Sequence, residues 1–214
     1  MVPSAKISFI QGNFKSDGTC AIISEMVDEE KLRAELKRRL SPERFAHSLR
    51  VAILAESLAK KLGADPAKGR LAGLFHDIAR YHKGPALLMD AKRYGLVPDS
   101  FQQNDPKLIH ADVSAEIARE EFGVTDDEIL QAIRRHTLGS SQMAILDKVL
   151  YLADHLEPGR RLSWSASILQ LAETDLDAAI AEAAKKTLEF VLQKNGPIHP
   201  RTVDTWNQYN PHTR

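Results

Sequence analysis

Helix punctuation recurs along this chain and leaves little room for strands. Ser41 followed by Pro42 reads as an N-cap and a first helical position, and Gly63 closes the helix they open. Asp65 and Pro66 in "DPAKG" restart the pattern, and "TDDE" at 125–128 has capping-box spacing. Asp175 opens a long run, "DAAIAEAAKKTLEFVLQKNG", expected to stop at Gly196. Leu32, Leu36 and Leu40 repeat at helical spacing, and no segment alternates as strands do. About eight helical segments with short connections predict an all-α fold, a helical bundle.

The ends read differently. Residues 1–27, "KISFIQGNFKSDGTCAII" among them, carry β-like runs broken by Gly, Ser and Asn, and are expected to form a poorly ordered extension. The bundle is expected over 28–207, with a short tail at 208–214. The stretch "PIHPRTVDTWNQYNPHTR" is expected to lie over the bundle without extending it.

Composition removes whole classes of function. The chain has 214 residues, 43% of them apolar, enough for one substantial core. Lys plus Arg and Asp plus Glu are each 29, so no global field draws it to nucleic acid or to a membrane surface. The chain has no uninterrupted apolar window of about 18 residues and no secretory leader pattern. The lone Cys20 builds neither a disulfide framework nor a thiolate zinc site, which suits a reducing compartment, and the cytoplasm is expected.

What composition leaves open, misplaced polarity narrows. His47 shares a stripe with Val51, Leu54 and Leu58; His136 follows Ile129 and Ile133; Asp154 lies four residues after Leu150; and "LAGLFHDIAR" sets His76 beside Asp77 in an apolar run. A buried carboxylate without a partner costs several kcal/mol. A metal ion compensates several such groups together, and His47, His76, Asp77 and Asp154 supply two imidazoles and two carboxylates. That mixed donor set suits ferrous iron or manganese ahead of zinc, with open positions for water and substrate. His82, His155 and His212 are left out of the site, and Arg134 with Arg135 reads as a solvated helix face.

"RFAHSLRVA", "LAGLFHDIAR", "IRRHT", "YLADHLEPGR" and "PIHPRT" resemble, in order, the motifs of the HD-domain metal-dependent phosphohydrolases and, within them, the symmetrical diadenosine tetraphosphatases of the YqeK type. The likeness runs from about residue 30 to 207. It implies an HD-type bundle that hydrolyses diadenosine tetraphosphate to two ADP by attack of metal-bound water. It also implies that Asp77 orients or deprotonates that water while Arg80 and Arg160 absorb charge on the phosphates; the family more commonly has Lys at the Arg80 position. Nucleotide contacts carried over are His47, Arg80, His110, His136, Thr137, Asp154, Arg160 and the segment Pro197, Ile198, His199, Pro200, Arg201, Thr202. One metal is expected, with His110 and His136 on phosphate, although related branches use such histidines for a second ion.

Trp206 and Tyr209 are expected to pack the tail onto the bundle, with adenine stacking as the alternative. Competing functions are a nucleoside monophosphate or cyclic nucleotide phosphohydrolase of the same superfamily, and a non-catalytic nucleotide sensor. The amphipathic helix over 28–40 could pair with a second copy in a homodimer or complete the protomer's own core.

Overall fold

The computed structural model describes residues 27–213. The extension expected over 1–27 therefore lies outside the described residues except for Val27, which is buried. Described are eleven α-helices: α1 Glu29–Arg39, α2 Pro42–Leu62, α3 Pro66–Phe75, α4 Pro85–Arg93, α5 Ser100–Asn104, α6 His110–Phe122, α7 Asp127–Arg135, α8 Ile145–Leu156, α9 Ser165–Ala172, α10 Leu176–Gln193 and α11 Pro200–Tyr209. No strand occurs among the described residues. The excess over eight includes short elements such as α5, with too few turns to display a period.

The caps follow the sequence closely. Ser41 accepts the Arg44 N–H, Asp65 accepts the N–H groups of Ala67 and Lys68, and Gly63 ends α2 at φ 77°, a conformation open to a residue without a side chain. Two ends differ. Asp126, not Thr125, caps α7, because its carboxylate reaches the N–H groups of both Glu128 and Ile129. Helix α10 ends at Gln193, and Asn195, not Gly196, takes the left-handed turn at φ 51°.

The C-terminal stretch forms a helix of its own, a correction to its expected course. Pro200 is the first residue of α11, and the His199 side chain accepts the Arg201 N–H as its cap. The helix packs on α10. Tyr209 is buried and its hydroxyl accepts the Met143 N–H at 2.8 Å, while Trp206 is half-buried against the core. Both pack as expected.

Helix α8 runs through the middle of the core and packs against α2, α3, α7 and α10, with Val149, Leu150, Tyr151, Leu152 and Ala153 all buried. Helix α1 buries Leu32 and Leu36 in the protomer's own core. The closest approach is between α2 and α3. A Cβ built on Gly73 would stand 2.6 Å from the Ala52 Cα, and one on Gly69 would stand 2.8 Å from the Ala55 carbonyl oxygen. Small residues on both sides let the two backbones touch, and His47 and His76 lie at the end of that seam.

Gly73→Ala is accordingly expected to destabilise the fold despite alanine's better helix propensity, by about 1–3 kcal/mol of overpacking. Urea unfolding measures it, and unchanged stability would mean that the seam is looser than described.

Candidate metal centre

Each histidine of the site is held by its Nδ1. In His76, His110 and His136 that nitrogen lies 2.7, 2.5 and 2.7 Å from the carbonyl oxygens of Gly73, Lys107 and Ile133, and in His47 it lies 3.1 Å from Glu157 Oε1. These oxygens only accept, so each Nδ1 carries the proton and donates. Every Nε2 is then turned inward. His47 Nε2 lies 3.2 Å from His76 Nε2, and His110 Nε2 lies 3.1 Å from His136 Nε2. Lone pairs facing at such distances repel unless a proton or a cation sits among them.

Carboxylates close the cluster. Asp154 Oδ1 is 3.0 Å from His47 Nε2 and 3.7 Å from His76 Nε2; Asp77 Oδ2 is 3.4 Å from His76 Nε2, and its Oδ1 is 3.1 Å from His110 Nε2. His47, His76, Asp77, His110 and His136 are all buried. Donor atoms of His47, His76 and Asp154 lie within 4.8 Å of one another, as do those of His76, Asp77 and His136. These residues fit a divalent cation, because inward lone pairs and two anions are brought together where water is scarce.

Both carboxylates of the cluster stay anionic. Burial pushes the Asp77 carboxyl up, but His76 and His110 outweigh it and hold the carboxyl well below the usual range. For Asp154 burial is likewise overcome, by neighbouring His47 and Arg160. Burial, with neighbouring His76 and His110, lowers the His136 imidazole to about 3, so this ring stays neutral and able to ligate. His76 goes the other way: burial opposes its charge, yet Asp77 and Asp154 raise its pKa.

One detail of local structure differs from the sequence reading. His76 and Asp77 do not share an α-helix: α3 ends at Phe75, His76 is its C-cap, and Asp77, at φ −113° and ψ 13°, opens a 3-10 turn over Ile78–Tyr81. Leaving the helix lets two adjacent side chains turn into one cluster. Arg80 follows on that turn and lines a cleft of about 450 Å3 with Arg39, Arg44, Lys83 and Lys107.

The remaining expected residues surround the cluster. Thr137 Oγ1 lies 3.2 and 3.0 Å from the Nε2 atoms of His110 and His136. Arg160 Nη2 donates to Asp154 Oδ1 at 2.6 Å. His199 is buried, its Nε2 donates to Asp99 Oδ2 at 2.9 Å and its Nδ1 accepts the Arg201 N–H, so both ring nitrogens are engaged within the protein. Arg201 Nη2 donates to the Gly139 carbonyl at 3.1 Å, which ties the start of α11 to the turn after Thr137. Thr202 is buried and Ile198 half-buried, while Pro197 and Pro200 are exposed.

Three partners escaped sequence reasoning. Arg44 Nη1 donates to Asp77 Oδ2 at 2.6 Å. Glu157, 2% exposed, orients His47 and accepts Arg50 Nε at 2.5 Å and the Gly159 N–H at 2.6 Å. Glu157 lies in the quoted "EPGR", and Arg44 one turn before His47, so position alone could have flagged both. Arg134 and Arg135 are also corrected: they pair with the buried carboxylates of Glu116 and Asp147 at 2.8 and 2.5 Å. His82 pairs with Asp90, and His155 bonds the Tyr151 carbonyl; both stand outside the cluster.

The chain belongs to the HD domain family, whose pattern matches residues 44–159. Within that family it is 36% identical over 181 residues to the symmetrical bis(5'-nucleosyl)-tetraphosphatase of Bacillus subtilis, covering 85% of this chain and 97% of the relative. Against the protein of the same name from Staphylococcus aureus it is 35% identical, covering 85% and 94%. Among solved structures, a predicted HD superfamily hydrolase involved in NAD metabolism from Clostridium acetobutylicum superposes with a TM-score of 0.82 at 30% identity, covering 86% of this chain and 97% of that one. This chain is thus a member of the group that the symmetrical bis(5'-nucleosyl)-tetraphosphatases define.

Because Glu157 fixes the His47 tautomer from behind, Glu157→Gln is expected to weaken metal binding about 10- to 100-fold in a chelator competition while helical content is retained. Its ionisation supplies a second test. Burial raises the Glu157 pKa, but Arg50, His47 and the Gly159 N–H outweigh burial and hold it down to about 2, against an ordinary 4.5. Stability from this group is present above 4.5 and lost as pH falls towards 2. The metal-free protein should lose stability across that window, and Glu157→Gln should flatten part of the slope; identical slopes would separate Glu157 from acid unfolding.

Proposed function

We propose that this chain hydrolyses diadenosine tetraphosphate symmetrically to two ADP, in the cytoplasm, with ferrous iron held by His47, His76, Asp77 and Asp154 and manganese as the alternative ion. The observation that carries the reading is the convergence of inward Nε2 atoms and two carboxylates, in a chain whose relatives bear the name of that activity. A divalent cation, when bound, supplies Lewis acidity and a water acidified to near-neutral pH.

The protein's own groups do the rest. Asp77, kept ionised, orients the attacking water. Arg44 and Arg160, each on a carboxylate of the cluster, stand where phosphoryl oxygens must approach, and bidentate guanidinium groups suit them. Arg80 adds charge from the adjoining cleft. Thr137, His110 and Arg201 bound the side where one diphosphate would lie.

Among the described residues no helix is long and apolar enough to cross a membrane. A second reading, two cations per chain, draws support from the second donor group of His76, Asp77 and His136, which places His136 on metal instead of phosphate. Metal analysis giving one or two ions per chain separates the two.

Incubation with ferrous iron or manganese and diadenosine tetraphosphate should yield ADP alone. ATP with AMP would mean that a different bond is cut, and tight binding without turnover would favour the sensor. Asp77→Ala is expected to lower kcat by at least about 10^2-fold with the helical circular dichroism intact. Arg201→Ala should act chiefly on KM, and an unchanged KM would remove Arg201 from the nucleotide site.

A further inference from the structure

A second recess opens beside the metal centre, on the side of Asp154. It has a volume of about 480 Å3 and lies between the turn after α8 and the C-terminal half of α10, with Leu162, Trp164 and Phe190 as its apolar wall and Arg160, Lys186 and Thr187 as its polar one. Phe190 is 61% exposed, a large aromatic surface left in water. Grouped with Trp164 at a concavity, such a surface suits a flat apolar ligand. The floor is held in place, since His155 Nδ1 donates to the Tyr151 carbonyl at 2.8 Å and its ring lies on Tyr151 with centroids 4.3 Å apart.

Arg160 belongs to both places. Its Nε donates to the Asp154 carbonyl oxygen and its Nη2 to Asp154 Oδ1, each at 2.6 Å, while the same side chain lines the recess. A ligand in the recess therefore stands one guanidinium away from a carboxylate of the cluster. Lys186 is held by Glu189 at 2.8 Å, a partly exposed pair of the kind that exchanges readily for a phosphate. Aromatic faces, two cations and room for a base with its ribose describe one class of ligand.

We infer that this recess is a nucleoside subsite: the base of one arm of the substrate stacks on Trp164 and Phe190, and Arg160 with Lys186 meets the phosphates that follow it. The identity of the ligand rests on the proposed function, since a molecule with a nucleoside at each end needs a place for each. Stacking tolerates any base, so recognition here is of a nucleoside as such.

Trp164 reports on its own site once Trp206 is replaced, because the chain has 2 tryptophans. In metal-loaded Trp206→Phe protein, titration with ADP should quench Trp164 emission saturably, and adding Phe190→Ala should weaken the half-saturation by about tenfold. Phe190 is exposed, so that variant should keep its helical circular dichroism. A Trp164 signal deaf to ADP, or equally responsive with and without Phe190, overturns the subsite. Turnover of diadenosine tetraphosphate by the same proteins separates the two ideas. A KM raised about tenfold by Phe190→Ala supports both, whereas Phe190-dependent quenching without any turnover upholds the subsite and removes the proposed reaction.

Discussion

Four imidazoles aim unprotonated nitrogens at one another and at two carboxylates inside a helical core, and the rest of the molecule is organised around that conflict. Left alone, the lone pairs repel and the anions lose their hydration. A divalent cation reverses both penalties with the same atoms. The surrounding structure makes the arrangement obligatory: each Nδ1 is tied back to an oxygen, so the rings cannot turn away. Helices α2 and α3, which carry His47 and end at His76, touch at Gly69 and Gly73, where any larger side chain would collide with the α2 backbone.

Around the cluster lies a layer of arginines and one glutamate that takes no ligand position itself. Glu157 works from behind His47, and Arg50 in turn neutralises Glu157. Arg44 and Arg160 work from in front, each on one carboxylate and each at the mouth of a different recess. A long polyanion can thus approach the metal centre along positive charge although the whole chain is neutral. Arg39, Arg44, Arg80, Lys83 and Lys107 gathered around one cleft give this without a global basic field.

Much of the centre was legible because polarity in an apolar stripe is conspicuous: His47, His76 and Asp154 each interrupt a buried face, and no solvent explains them. Charged residues on helix flanks give no such contrast. Arg44, Arg50, Glu157, Arg134 and Arg135 all look solvated in one dimension, yet all five bond within the protein. Their partners lie between 12 and 110 residues away, and local periodicity carries no information at that range.

The sequence by itself determined the helices, most of their caps and the residues that had to be compensated, because capping and amphipathic burial are decided within a few neighbouring positions. Tertiary structure alone decided that Asp77 leaves its helix to share the cluster with His76, that Glu157 stands behind His47, and that α11 folds back to seat His199 on Asp99. Those outcomes depend on how closely helix backbones approach and where their ends meet, quantities set by packing in three dimensions.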